Sequence, residues 1–471
     1  MKPDIVLQSA TQQLDLLRSG KVSISELAEA HIAQIARLNP QINAFADFDA
    51  ERVRAQARLL DAQKTTPGPL HGLPVTIKSS ISTAGYKCEL GSHLHAGDIP
   101  REDAVAVARL RAAGALILGT TNCPELLMAY ETDNLLYGCT ANPWDLARTP
   151  GGSSGGESAA IAAGMSAAGL GSDSGGSVRV PAHFTGICSL KPTPGRFPAR
   201  GHLPSNVGPF ATLGAIGPMA RTIADITLLF RTLCAQDPNE PNSPPIAYRE
   251  RTLEELRAHT IGFFEDDALV PVTPETRVAI QSAAQALRDA GFRVEPFRPR
   301  TLEQLRKLWW IFFVQCGAMF YQPEIRGKRN KLSPIFTEFL SIAESIPPLT
   351  ATDLLNAWAE LDVLRARTLR EMSDFPVLLC PVASLPAWRH GERQWTIDGR
   401  TVDYLDAVRH TQWFNCLAAP AAVAPIGRSP EGLPIGVQTV ARPYEDEIAL
   451  GIAAILDAAF GYQPPPRARL F

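Results

Sequence analysis

Half of the residues in GGSSGGESAAIAAGMSAAGLGSDSGGSVRVPA, positions 151–182, are glycine or serine, and none is aromatic. A flexible linker has that composition, but it does not carry an alanine-rich centre or end on an isolated Asp173 and Arg179. Small residues at helix-compatible spacing over 155–169 predict a helix packed closely against its neighbours. GGSSGG precedes it and GSDSGGS follows it. Glycine stands where backbone must approach another group or take a positive φ. Two such turns at the ends of one helix gather hydroxyls and exposed N–H groups around a single cavity. That is the layout of an anion or oxyanion site.

The remainder of the chain alternates strand and helix signals. LPVTIK (73–78) and ALILGTTN (115–122) read as buried strands, with the helix AVAVARLRAAG (104–114) between them. Ser23-Ile-Ser-Glu26 is a capping box for a helix toward Leu38, stopped by Asn39-Pro40. Thr273-Pro274 opens a helix ending at Gly291, followed by the strand-like FRVEPF. FPVLLCPVA (375–383), AAVAPIG (421–427) and PIGVQTVA (434–441) are further strands, and a last helix spans about 445–460. DPNEPNSPP (237–245) reads as a surface loop, since the pattern resumes after it. The expected class is α/β, a mixed central β-sheet sandwiched between layers of α-helices.

Composition excludes several function classes. The formal net charge is −3, with neither a basic block nor an acidic tail, so nucleic acid and anionic membranes are not expected partners. MKPDIVLQSATQQLDLL is too polar for a signal peptide, and the longest apolar stretch, near 309–321, is too short to span a bilayer. No membrane anchor is therefore expected. Eight cysteines without a C-x-x-C pair predict reduced, buried thiols in a cytoplasmic protein. His93-x-His95 lacks a third ligand at metal spacing, so no metal and no cofactor is expected.

Three chemistries compete for the glycine–serine turns. Phosphate cradling needs G-x-x-x-x-G-K-[ST] or G-x-G-x-x-G after a strand, and neither occurs here. Gly151-Gly-Ser153-Ser-Gly155 fits G-x-S-x-G, but the proline-broken TANPWDLARTP precedes it where a nucleophile elbow needs a strand. The third reading is a serine nucleophile served by lysine. A desolvated lysine loses its proton more readily and can act as a base. Lys78 ends an apolar strand and is followed by Ser79 and Ser80, which suits that role.

HGLPVTIK (71–78), ILGTTNCPEL (117–126), ANPWDLARTPGGSSGGESAA (141–160), GLGSDSGGSVRVPA (169–182), GICSLKPTPGR (186–196) and GLPIGVQTVA (432–441) occur in that order. Together they resemble the amidase signature family, the Ser–Ser–Lys amidohydrolases, over nearly the whole chain. Separations of 75 residues from Lys78 to Ser153 and 24 from Ser153 to Ser177 match that family's placement. The resemblance implies that Ser177 is the nucleophile, Ser153 the bridging serine after a cis peptide, and Lys78 the base. It also implies an oxyanion hole of the backbone N–H groups of Ser174, Gly175, Gly176 and Ser177. Ser154, Asp173 and Arg179 would support these turns. Lys191, in LKPTPG, is read as structural, on an outer turn.

The same resemblance implies one amidase domain over 1–471. Within it would lie a helical segment to about 65, a catalytic core over 66–235, a substrate-shaping region over 300–375 and a sheet-completing part over 376–471. Two positions depart from the family pattern: Ser79 where aspartate commonly follows the lysine, and GTTN (119–122) where a lysine often precedes TN. Gly155-Gly156-Glu157 and GIC (186–188) are nearest to the fatty acid amide hydrolase-like branch. LWWIFFVQCGAMFY (308–321) holds six aromatics and is either a core helix or the wall of an acyl pocket. Met128, Trp309, Phe313 and Trp413 are the candidate pocket residues. The expected activity is hydrolysis of an amide, anilide or carbamate with an apolar acyl or aryl group, by a monomer or homo-oligomer. The alternatives are the glutamine-hydrolysing subunit of an aminoacyl-tRNA amidotransferase and a non-catalytic binding protein on this scaffold.

Overall fold

A computed structural model describes residues 3–63 and 68–469, so the boundary expected near 65 lies outside the described residues. Thirteen strands are present among them. These are β1 (Phe45–Phe48), β2 (Pro74–Lys78), β3 (Leu116–Thr121), β4 (Ala168–Asp173), β5 (Cys188–Lys191), β6 (Ala215–Ala220) and β7 (Ile261–Phe263). They continue with β8 (Val294–Pro296), β9 (Val377–Pro381), β10 (Gln394–Ile397), β11 (Arg400–Asp403), β12 (Ala421–Arg428) and β13 (Pro434–Ala441). Eleven form one sheet in the order β1-β3-β2-β4-β6-β5-β12-β13-β9-β7-β8, and β10 and β11 pair separately. The sheet is mixed: β2 runs parallel to β3 and β4, whereas β4–β6, β5–β12 and β12–β13 are antiparallel.

Both faces of the sheet are covered, which is why its central strands read as unbroken small and apolar runs. On β12, Val423 packs with Val180, Ala182 and Phe184 of helix Arg179–Thr185. Its neighbour Ala424 points the other way, toward Ile280 and Ala283 of helix Pro274–Asp289 and Ile448 of helix Asp446–Phe460. Residue-to-residue alternation along the strand thus assigns neighbours to two separate cores.

Two expected boundaries shift. The capped helix from Ile24 continues through Pro40 to Ile42, where Asn43 takes φ 56°. Proline there removes only the bond to the Ala36 carbonyl, and Leu38 and Ile42 remain buried. The helix expected over 155–169 ends at Ala162, Gly164 turns the chain at φ +72°, and 168–173 form β4. Small side chains carry too little periodicity to separate helix from strand. Packing supplies the reason for the small residues: a Cβ at Gly169 would lie 2.4 Å from the Thr76 carbonyl oxygen.

The aromatic segment is a continuous helical run of three parts: Leu302–Trp309, a π-helical Trp310–Gln315, and Cys316–Ile325. Such π turns re-aim side chains and recur at functional sites. Among the described residues, no helix is long and apolar enough to cross a membrane.

Candidate active site

Lys78 closes β2 with its side chain fully buried. Its Nζ lies 2.6 Å from Ser153 Oγ and 3.1 Å from Ser172 Oγ. Burial pushes the ammonium down to about 8, and the nearby Asp173 and Glu157 limit that fall. A neutral Nζ can therefore accept the Ser153 hydroxyl proton while donating one N–H to Ser172. The Gly152–Ser153 peptide is cis. Ser177 is half-buried on the turn that follows β4.

That turn is held by its carbonyls. The Ser174 carbonyl accepts the Trp309 indole N–H at 3.0 Å. The Gly175 carbonyl accepts the hydroxyls of Tyr130 at 2.8 Å and Thr411 at 2.6 Å, and the Gly176 carbonyl accepts the Val180 N–H at 2.7 Å. In a trans peptide the N–H opposes the C=O, so anchoring each carbonyl aims the next N–H. The N–H groups of Ser174, Gly175 and Ser177 meet no protein acceptor among the described residues. Gly176 departs from the expected set of four. Its N–H already donates to Asp173 Oδ1 at 2.8 Å, because the carboxylate tucks under the turn.

Asp173 and Arg179 form a fully buried bidentate pair, Nη2–Oδ1 2.9 Å and Nε–Oδ2 3.0 Å. Burial alone would raise the Asp173 carboxyl, but the Arg179 charge and hydrogen bonds, with Lys191 and Asn415, hold it well below the usual carboxylate range. Arg179 further donates to Asn415, Gln438 and the Thr411 carbonyl. Ser154 joins the two turns: its N–H donates to the Ser177 carbonyl at 3.2 Å, and its hydroxyl lies 3.3 Å from the Ser172 carbonyl. Asp173→Asn keeps the shape but leaves the guanidinium uncompensated. Chemical denaturation should show a loss of about 3–5 kcal/mol, the scale of a broken buried pair.

Two cavities meet at Ser177. One encloses about 570 Å³ including its mouth, and its apolar walls are Met128, Trp309, Phe313, Val314 and Phe339. At its rim Arg393 pairs with Glu338 at 3.0 Å and with the buried Glu131. The other is more polar, with Ser153, Ser172, Ser174, His202 and Asn206 around Ser177.

Ser177 and Ser153 thus line one polar cavity, and Ser153 is in contact with the buried Lys78. The Amidase family profile matches residues 26–450. The chain belongs to the amidase signature family. One subunit of the glutamyl-tRNA(Gln) amidotransferase of Roseiflexus sp. (strain RS-1) is 32% identical, covering 93% of each chain. An acylamidase from Rhodococcus erythropolis is 32% identical over 96% of this chain and 95% of its own. The solved 6-aminohexanoate cyclic dimer hydrolase superposes with a TM-score of 0.86 at 28% identity, over 98% of this chain and 100% of that one.

Within this amidase fold, several expected positions change. Trp413 does not reach either cavity. It is fully buried against Phe264 and His410, because Thr411 and Asn415, one turn apart on helix Arg409–Cys416, take the face toward the glycine turn. A residue two positions from Thr411 points away from that face. Lys191 is not on an outer turn. It lies in the interior strand β5, fully buried, with Nζ donating to the Pro192 carbonyl at 3.0 Å. Burial, with Arg179 nearby, pulls its ammonium down to about 7. Of the eight cysteines seven are buried as expected, whereas Cys139 is exposed.

Sequence reasoning missed Ser172, Tyr130, Thr411, Asn415 and His202. Ser172 was the one legible omission, since it lies two residues before Ser174 in the same motif. Glu157 was also missed as a site neighbour. It bonds the Thr76 and Thr121 hydroxyls beneath Lys78, and burial pushes its carboxyl up to about 8.

Proposed function

We propose that this amidase cleaves the C–N bond of an amide, anilide or carbamate bearing an apolar acyl or aryl group, through an acyl-enzyme on Ser177. The observation that carries the reading is the 2.6 Å contact between the buried Lys78 Nζ and Ser153 Oγ beside Ser177. Lys78 draws the Ser153 proton, Ser153 draws that of Ser177, and Ser177 Oγ attacks the carbonyl carbon. The N–H groups of Ser174, Gly175 and Ser177 receive the oxyanion. The proton then returns through Ser153 to the leaving nitrogen, and water enters by the same relay to release the acid.

Ser153 lines only the polar cavity, so the leaving group belongs there and the acyl group in the apolar one. Phe313 faces both cavities and is stacked on Trp309 with 4.7 Å between ring centroids. Phe313→Ala should shift preference toward longer acyl groups, by roughly tenfold or more in relative kcat/KM for each added methylene. Its half-buried ring predicts only a small change in melting temperature. A series of acyl p-nitroanilides beside a thermal melt checks both. Unchanged selectivity with a large loss of stability would return Phe313 to the core. A serine-reactive probe followed by amide, anilide, ester and carbamate panels tests the reaction class.

The likeness to a glutamyl-tRNA(Gln) amidotransferase subunit favours a second reading, glutamine hydrolysis feeding ammonia to a partner. Glutamine carries a charged α-amino and α-carboxyl end, which the aromatic walls and the already paired Arg393 suit poorly. Glutaminase activity of the purified chain, absent on apolar amides, would select that reading instead.

A further inference from the structure

We propose that Trp309 is a positioning residue for the oxyanion site: its indole N–H fixes the peptide that presents the Gly175 N–H, while its ring walls the acyl cavity. The proposal rests on the Ser177 reading above and adds a residue that acts through the backbone.

The Ser174–Gly175 peptide has one anchor among the described residues, the Trp309 Nε1–H donating to the Ser174 carbonyl at 3.0 Å. The following peptide is held independently, by Tyr130 and Thr411 on its carbonyl and Asp173 on its N–H. Because C=O and N–H oppose each other across a planar trans peptide, the indole sets where the Gly175 N–H points. Without that donor the peptide can rotate, and an N–H that must meet a developing oxyanion loses its preorganisation.

The ring itself is fixed in place. It is 1% exposed, stacked on Phe313, and pressed against the bare Cα of Gly175. A Cβ at that glycine would lie 2.8 Å from both Trp309 Cζ2 and the Tyr130 hydroxyl. So the glycine serves the close approach of the ring, and the ring holds the glycine's peptide. Trp309 also borders the apolar cavity. The side chain that an acyl group touches is thus the one that aims an oxyanion donor.

The test separates the donor from the wall. Trp309→Phe removes the N–H but shortens the ring. A second variant, with 3-benzothienylalanine incorporated at 309, keeps the bicyclic shape and lacks the donor. Both should lose about 10–100-fold in kcat, less than or comparable to losing an oxyanion donor outright. KM and the order of acyl preference should stay near wild type in the benzothienyl variant. Affinity for an aryl trifluoromethyl ketone, whose adduct bears the oxyanion, should fall by the same factor, and affinity for the matching alcohol should not fall. A benzothienyl variant with wild-type kcat and ketone affinity overturns the proposal. So does a loss confined to KM with a changed acyl preference, which assigns Trp309 to the wall alone. Failure of the Ser177 reading shows separately, as activity retained in Ser177→Ala.

Discussion

Replacing Ser177 with alanine is expected to lower kcat by at least about 10³-fold, the scale of losing a covalent nucleophile whose partners act as a unit. The melting temperature should hold. The Ser177 hydroxyl makes no protein hydrogen bond among the described residues, so its removal breaks nothing that supports the turn. The turn keeps its three carbonyl anchors and the Asp173–Arg179 pair beneath it. Residual rate would come from the oxyanion site and from water polarised by Lys78 and Ser153. Stopped assays on an anilide, beside a thermal melt, check both halves. Near-wild-type turnover in a folded variant would remove Ser177 from the mechanism.

The second large effect concerns Lys78. Burial places its ammonium at about 8, well under the ordinary 10.5. The base form is the neutral amine, so kcat/KM should rise with pH through about 8 and level off above it. Activity is lost as pH falls, because protonation removes the lone pair that receives the Ser153 proton. Lys78→Arg should not restore the reaction, since guanidinium stays charged across this range. Lys78→Ala should damage amides more than esters, because an amine leaving group needs a proton returned through Ser153. Lys191 titrates nearby, at about 7, but its Nζ is tied to the Pro192 carbonyl. Lys191→Met should therefore leave the alkaline rise where it is. An arginine variant at 78 with full activity on an amide would show that the position supplies only charge.

Sequence made the α/β class legible, and it singled out Lys78, Ser153 and Ser177, here proposed as the catalytic set, for a physical reason. A desolvated lysine at a strand end, with two glycine–serine turns, leaves residue types that are costly elsewhere, and they sit in fixed order. The end of the helix at Ala162 was not legible, since alanine and glycine suit a tightly packed helix and a buried strand equally. Lys191 shows the limit of reading polarity as exposure. A lysine beside Pro-Thr-Pro-Gly looks like a turn residue, yet β5 carries it into the sheet interior between β6 and β12. Trp413 failed because aromatic content does not give facing, which depends on the register of a short helix against the turn. The contacts of Trp309, Tyr130 and Thr411 with the turn are tertiary, over 135, 45 and 236 positions, and no local pattern announces them.

Acid quenching during steady-state turnover of a slow anilide or carbamate, followed by proteolysis and fragmentation mass spectrometry, locates the acyl group on the chain. The acyl mass is expected on Ser177, resolved from Ser153 and Ser174 in the same peptide, and absent from Ser177→Ala. Acyl mass on Ser153 or Ser174, or none under conditions where product forms in a burst, would contradict it.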